Sequence, residues 1–355
     1  MKIRMAILAF ILLLPIWLLA DDERSSQNNA QLKKWLEKYP AADADKDGIL
    51  TFSEAKTYQR ERLSQRGGDR RQVSMPKPTH ADVKYGPHRL QAFDIWLADS
   101  DEPTPLVLFI HGGGFRGGDK QGVNAGFLNQ CLEAGYSFAS INYRMIPEIQ
   151  FPVPMIDSGR AIQLIRHRAG DWNIDSTRIA STGGSAGGGI SLWLAFHDDL
   201  ADATNEDPIA RQSTRLACVA VSGAQSSYDY RFTDSIGLPG FTRHSSVTGI
   251  YGVDSVEGLK RPEVIEMMEK MSPINHLSKD DPAVLMDYGV RNVPVDETTD
   301  VGTIVHHPKL GLVLQAETRK LDLECVVQFP GSEPPQQRVS QFVFIKKCFD
   351  REDKQ

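Results

Sequence analysis

An α/β protein, with a mostly parallel sheet flanked by helices, is the fold class that this 355-residue sequence predicts. Three observations predict it. From Ala81 onward, apolar runs of strand length alternate with segments of helix length, the pattern of repeated βαβ units. Most strand candidates are continuous apolar or β-branched runs, which suits strands buried on both faces. A short helical module with an acidic loop stands before them, set apart by a polar stretch.

The elements follow in chain order. Lys2 and Arg4 precede the apolar run Met5 to Leu19, and Ala20 precedes "DDER". This is the layout of a secretory signal peptide over residues 1–20. The run is short for a membrane span, which needs ~20 residues. The expected location is therefore secreted or periplasmic, with no membrane span after signal removal. Residues 21–63 form the small module: "NNAQLKKWLEKYP" and "AKTYQRERL" read as helical patches on either side of "DADKDGILTFSE". Residues 64–80 are polar with Gly and Pro, a linker. Residues 81–350 then supply the strands "QAFDIWLA", "PLVLFIH", "YSFASINY", "RIAST", "LACVAVS", "AVLMDYG" and "LECVVQF". Helical patterns run from Lys120 to Ala134, Met155 to Arg168, Ser185 to His197, Lys309 to Leu321 and Gln336 to Cys348. The connection between "LACVAVS" and "AVLMDYG" is far longer than usual. It is expected to form a cap or substrate loop around 226–280.

Composition narrows the function. Apolar residues make up 41% and charged residues 24%, the profile of an ordinary globule. A net charge of −6 gives no electrostatic reason to expect nucleic acid as a partner. The basic run Arg60, Arg62, Arg66, Arg70 and Arg71 lies among Gln, Gly and Ser and reads as solvated linker. Cys131, Cys218, Cys325 and Cys348 lack the close spacing of a zinc site. Cys218 sits within an apolar strand and is expected as a buried free thiol; pairing of Cys325 with Cys348 stays open.

In "DADKDGILTFSE", Asp43, Asp45 and Asp47 fall at positions 1, 3 and 5 of a twelve-residue loop. Gly48 stands where the chain must turn, Ile49 offers its carbonyl at position 7, and Glu54 is a carboxylate at position 12. Hard oxygen ligands at this spacing suit Ca²⁺. The loop and its flanks resemble an EF-hand, and the resemblance implies a weak, structural Ca²⁺ site. An acidic turn without metal is the other reading.

The chemistry-bearing stretch is Gly183-Gly184-Ser185-Ala186-Gly187, which fits G-x-S-x-G between a strand and a helix. A serine lifted on a sharp turn needs small neighbours, and these are small. A second motif, "HGGGF" at His111 to Phe115, follows the strand "PLVLFI". Backbone N–H groups of such a glycine loop can approach the oxygen on which charge develops in acyl transfer. With "NYRM", "FPVPMIDSGRAIQLIRHRAGDWNIDSTRIA" and "SPINHLSKDDPAVLMDYG", these motifs resemble an α/β-hydrolase of the hormone-sensitive-lipase and esterase type, over about Tyr85 to Cys348. The "GGSAGG" variant is also similar to that of secreted polysaccharide esterases. The resemblance implies Ser185 as nucleophile. It implies an oxyanion hole from the N–H groups of Gly113, Gly114 and Ala186, and a structural role for His111.

The base and acid depart from that family's pattern. Asn292 stands in the acid's slot in "YGVRNVPVD", and the loop "PGSEPPQQ" after the last strand has no histidine. His80 and His88 are expected before the sheet, His167 and His197 at helix ends, and His244 and His276 in the insertion. His306 and His307 follow the penultimate strand, at the sheet edge where active sites lie. One of the pair is the candidate base, and Pro308 favours His307 by restricting its backbone. Asp296, Glu297, Asp300 or Asp229 are candidate acids. The leading expectation is a serine carboxylic-ester hydrolase acting through a Ser185 acyl-enzyme on a small ester or acylated carbohydrate. No cofactor is needed for that chemistry. The alternative is a catalytically impaired relative that binds a ligand or carbohydrate; an imidazole near Ser185 separates the two.

Overall fold

The computed structural model describes residues 25–55, 57–58, 74–296, 298–332 and 337–352. The signal-like segment 1–20 and the basic run from Arg60 to Arg71 lie outside the described residues. The chain divides into two compact units, Met1–Val73 and Ser74–Gln355. In the first, helix Ala30–Lys38 leads into the acidic loop, and 52–55 is helical again. Leu32, Ala42, Leu50 and Ala55 are buried together against Trp35 and Tyr39.

The second unit is built on an eight-stranded sheet. Its strands are β1 (His80–Lys84), β2 (Ala92–Trp96), β3 (Thr104–Ile110), β4 (Ser137–Ile141), β5 (Ile174–Gly184), β6 (Cys218–Ser222), β7 (Ala283–Asp287) and β8 (Cys325–Gln328). They lie in the order β1-β2-β4-β3-β5-β6-β7-β8. Strand β2 is antiparallel to both its neighbours, and every pairing from β4 to β8 is parallel. The central strand shows why continuous apolar runs were needed. Leu106, Leu108 and Ile110 pack into one core, while Val107 and Phe109 pack into the other, as the alternation of side chains across a strand requires. Helices Val153–His167 and Ala186–Phe196 close the first face; Ala125–Glu133 and Gln341–Glu352 close the second.

One strand escaped the sequence reading. His80, expected before the sheet, opens β1. As an edge strand with a mostly exposed surface, "HADVK" lacks the apolar run by which the others were found. The long connection between β6 and β7 carries helices Tyr230–Ser235, Ser246–Ile250 and Pro262–Met271. No disulfide joins the four cysteines: Cys218 is buried on β6, and Cys325 and Cys348 are not bonded to each other. Among the described residues, no helix is long and apolar enough to cross a membrane.

Candidate active site

The serine sits on a strained turn. Strand β5 ends at Gly184, and Ser185 adopts φ 52°, ψ −121° before helix Ala186–Phe196 begins. A non-glycine residue held at positive φ costs on the order of 1–3 kcal/mol and persists only where its surroundings impose it. Here they do. A Cβ added to Gly187 would lie 2.0 Å from the Ile110 carbonyl oxygen, and one on Gly183 would lie 2.4 Å from the same atom. The turn can press against the end of β3 only with glycine at both places. The Ser185 N–H donates to the Ser222 carbonyl at 2.9 Å, which ties the turn to β6 as well.

The imidazole beside Ser185 belongs to His306. Its Nε2 lies 2.8 Å from the Ser185 Oγ. Its Nδ1 lies 2.8 Å from the carbonyl oxygen of Gly302, four residues earlier in the same segment. A carbonyl only accepts, so the ring proton sits on Nδ1 and Nε2 is free to accept from the serine. The segment is a five-residue helix, Val301–Val305, started by Asp300, whose carboxylate accepts from the Thr303 N–H at 3.1 Å.

His307, favoured by the sequence argument, does not reach Ser185. It is 2% exposed, its Nε2 donates to the Val293 carbonyl at 2.9 Å, and its Nδ1 accepts from the Lys309 N–H at 3.2 Å. Neighbouring residues at a helix end diverge by about 100°, so only one of the pair can face the serine. The backbone restriction ahead of Pro308 fixes His307 in a structural position.

Of the candidate acids, the described ones, Asp229, Asp296 and Asp300, are engaged elsewhere. Asp300 caps the helix. Asp296 accepts from the N–H and hydroxyl of Thr298 at 2.8 and 2.7 Å in an exposed turn. Both carboxylate oxygens of Asp229 bind the Arg231 guanidinium, at 3.0 and 3.1 Å from Nε. Asn292 is exposed, and Glu297 lies outside the described residues. The carboxylate that does line the cleft at Ser185, Asp287 at the end of β7, is paired with Arg338. Among the described residues, the recorded partner of His306 Nδ1 is therefore the neutral Gly302 carbonyl, with no carboxylate on either ring nitrogen.

The glycine loop after β3 faces the same turn. Gly113 and Gly114 have φ of 107° and 60°, and Phe115 follows at 61°. A Cβ on Gly113 would lie 2.2 Å from the Gly117 carbonyl oxygen, and one on Gly112 would lie 2.6 Å from that of Gly184. His111 is buried and stacks on Tyr143 with ring centroids 4.4 Å apart. Its Nδ1 lies 2.8 Å from the Gly112 carbonyl, and burial holds its pKa below the ordinary histidine value. It contacts the loop and not Ser185. Two spaces meet at the serine. One is a broad cleft of about 1000 Å³, whose walls include Gly112, Gly184, His306 and Arg338. The other is a narrow space of about 30 Å³ against Gly114, Phe115, Tyr228, His244 and Val305. The insertion contributes Tyr228, Phe241, His244 and Ser246 to it; no motif in the sequence marked His244 as part of the site.

In the separate first unit, the structure brings Asp43, Asp45 and Asp47 together, with a carboxylate oxygen of each within 4.8 Å of the others. The buried Asp43 Oδ1 has no hydrogen-bond partner, while its Oδ2 accepts from the Gly48 N–H at 2.9 Å. Glu54 is turned to the loop backbone, accepting from the Ala44 and Thr51 N–H groups, each at 3.0 Å. The Ile49 N–H donates to Asp47. Converging carboxylates with one orphaned oxygen fit a hard cation.

Known proteins are similar to this chain. A probable carboxylic ester hydrolase, LipM of Mycobacterium tuberculosis, is 29% identical over 226 residues, 61% of this chain and 49% of LipM. Esterase LipC of the same organism is 26% identical over 227 residues, 61% of this chain and 52% of its own length. The chain thus spans about half the length of these curated relatives. Among solved structures, a truncated carbohydrate esterase from gut microbiota superposes with a TM-score of 0.59 at 18% identity, covering 79% of this chain and 98% of that one. An acetyl ester-xyloside bifunctional hydrolase from Caldicellulosiruptor lactoaceticus gives 0.55 at 20% identity, covering 78% and 93%. At those identities the likeness is one of fold, the α/β-hydrolase fold. Residues 93–301 match the BD-FAE family; with more than half of its length matched and the serine turn and glycine loop in place, the chain belongs to that family.

Proposed function

We propose that the protein is a serine carboxylic-ester hydrolase that removes short acyl groups from carbohydrate. The observation that carries this reading is the 2.8 Å contact between His306 Nε2 and Ser185 Oγ on the strained turn. Ser185 Oγ attacks the ester carbonyl carbon while His306 Nε2 takes its proton. The carbonyl oxygen gains charge facing the N–H groups of Gly113, Gly114 and Ala186. The C–O bond to the alcohol then breaks, and His306 returns the proton to the leaving oxygen. Water then attacks the acyl carbon as His306 Nε2 takes its proton; the bond from that carbon to Ser185 Oγ breaks, His306 returns the proton to Oγ, and the acid leaves. The Gly302 carbonyl holds the ring in the tautomer this cycle needs. The small space between the glycine loop and the insertion, walled by Phe115, Phe241, Val247 and Ile250, supports a short apolar acyl group. The open cleft on the other side has room for a sugar. The structural neighbours described as carbohydrate esterase and acetyl ester-xyloside hydrolase support the same class. The binding-protein alternative required a serine without an imidazole, and the His306 contact argues against it.

The opening segment supports export, so the enzyme would work in a secreted or periplasmic setting. In the first unit, Asp43, Asp45 and Asp47, with Glu54 and the Ile49 carbonyl, would hold Ca²⁺ as a structural ion. The hydrolytic reading is tested by labelling with a fluorophosphonate probe and by release of p-nitrophenol from its acetate. Labelling that persists in Ser185→Ala, or wild type inert in both assays, refutes it.

A further inference from the structure

His244 stands beside the serine and the glycine loop. It comes from the insertion between β6 and β7 and lines the small cavity together with Ser185. A Cβ placed on Gly114 would meet its Cε1 at 3.2 Å and its Nε2 at 3.9 Å, so this edge of the ring lies directly on the glycine loop. The local backbone fixes its tautomer. The Ser246 N–H donates to His244 Nδ1 at 3.3 Å. A ring nitrogen that accepts carries no proton, so the neutral ring is protonated at Nε2, the atom nearer the loop. The Ser246 hydroxyl donates to the Gly114 carbonyl at 2.5 Å, which anchors this segment to the same loop. Burial is the main reason that His244 lies below the ordinary histidine range, and the facing His306 and Arg116 add to it.

We propose that the His244 Nε2–H is a further donor to the carbonyl oxygen of the bound ester, acting beside the N–H groups of Gly113, Gly114 and Ala186. Two N–H donors each about 2.9 Å from one oxygen stand within about 5 Å of each other, a span that the approach of His244 to Gly114 allows. The donor keeps its proton throughout. Its bond strengthens as the oxygen becomes negative, so it favours the transition state over the bound ester. This inference rests on the ester-hydrolase reading.

The test uses His244→Phe, which keeps ring bulk but offers no N–H, and His244→Gln, whose amide nitrogen can take the place of Nε2. With p-nitrophenyl acetate, the phenylalanine variant should lose kcat by ~10²–10³-fold with KM nearly unchanged, the range for one oxyanion donor. The glutamine variant should recover at least about tenfold of that loss. Nitrogen NMR on histidine-labelled wild type should show His244 neutral and protonated at Nε2 at pH 7. A phenylalanine variant with wild-type kcat and altered KM, or a ring protonated at Nδ1, overturns the proposal while leaving the esterase reading intact. Wild type inert to both ester and fluorophosphonate overturns the esterase reading, and this inference with it.

Discussion

Replacing His306 and His307 one at a time should separate rate from stability. In His306→Ala the serine loses its hydrogen bond to an imidazole, 2.8 Å long. Removal of a general base lowers rate by ~10²–10⁴-fold, equivalent to about 3–5.5 kcal/mol of activation free energy. The same change should affect stability little, because the ring is only partly buried and one of its two hydrogen bonds is to the half-buried serine. In His307→Ala the ledger reverses. A side chain 2% exposed is removed, the Lys309 N–H and the Val293 carbonyl lose their partner, and a void remains. Each broken bond costs about 1–2 kcal/mol, so about 2–4 kcal/mol is expected in total. That corresponds to a fall in Tm of about 3–8 °C for a unit of this size. Initial rates on p-nitrophenyl acetate and thermal melts, run on both variants, give the answer. A His306→Ala enzyme within about fivefold of wild type would show that Ser185 takes its base elsewhere. A rate collapse in folded His307→Ala would show that the histidines had been placed in the wrong order.

Other outcomes follow from the same geometry. Asp300→Ala removes the helix cap below His306, a loss of about 0.5–2 kcal/mol; if that loss falls on base placement, kcat drops by ~2–30-fold while the pH profile keeps its shape. Gly113→Val adds a Cβ at φ 107° and 2.2 Å from the Gly117 oxygen, so esterase activity should fall by ~10²-fold or more, and a folded variant of normal rate would remove this loop from the oxyanion site. Burial holds His111, His244 and His307 below the ordinary histidine pKa. The unfolded chain therefore binds more protons, and Tm should fall as pH drops below about 6.5. A second decline should follow below about pH 4, because Asp119, Asp175 and Asp199, buried but held below the usual carboxylate range by their hydrogen bonds, then take up protons more readily in the unfolded chain; a flat Tm between pH 8 and 5 contradicts the histidine assignment. Calorimetry should find Ca²⁺ binding to the first unit in the range of roughly 10⁻⁵–10⁻³ M, abolished by Asp43→Asn; no heat at millimolar Ca²⁺ rejects the site.

The sequence made the frame of this site legible and left its proton chemistry open, for physical reasons. The serine turn and the glycine loop are readable because close backbone approach demands glycine at fixed positions: Gly183 and Gly187 against Ile110, Gly112 against Gly184. The parallel strands are readable because they are apolar on both faces. The choice between His306 and His307 was not readable from spacing, since it turns on where a five-residue helix begins. The clue was Asp300, three residues before Thr303, as a helix cap. Once that cap is placed, His306 falls four residues after Gly302 and its ring can bond back to it. The acidic residues misled because short carboxylates near Thr and Arg more often cap or pair locally, as Asp296 and Asp229 do. His244 was hidden in an insertion with no periodic pattern, and only the contact with Gly114 reveals it.

The bond from His306 back to Gly302 would make the proposed base self-contained. Its backbone N–H and its ring both address the same carbonyl, at 3.2 and 2.8 Å, so no distant residue has to be kept in register with it. Residues 300–308 form a portable cassette: a cap, one turn of helix, a base and a proline stop. Grafted after the penultimate strand of a related scaffold, such a segment could supply a working imidazole without a matching carboxylate. It would also leave the stretch after β8 open to engineering, because the base no longer has to come from there.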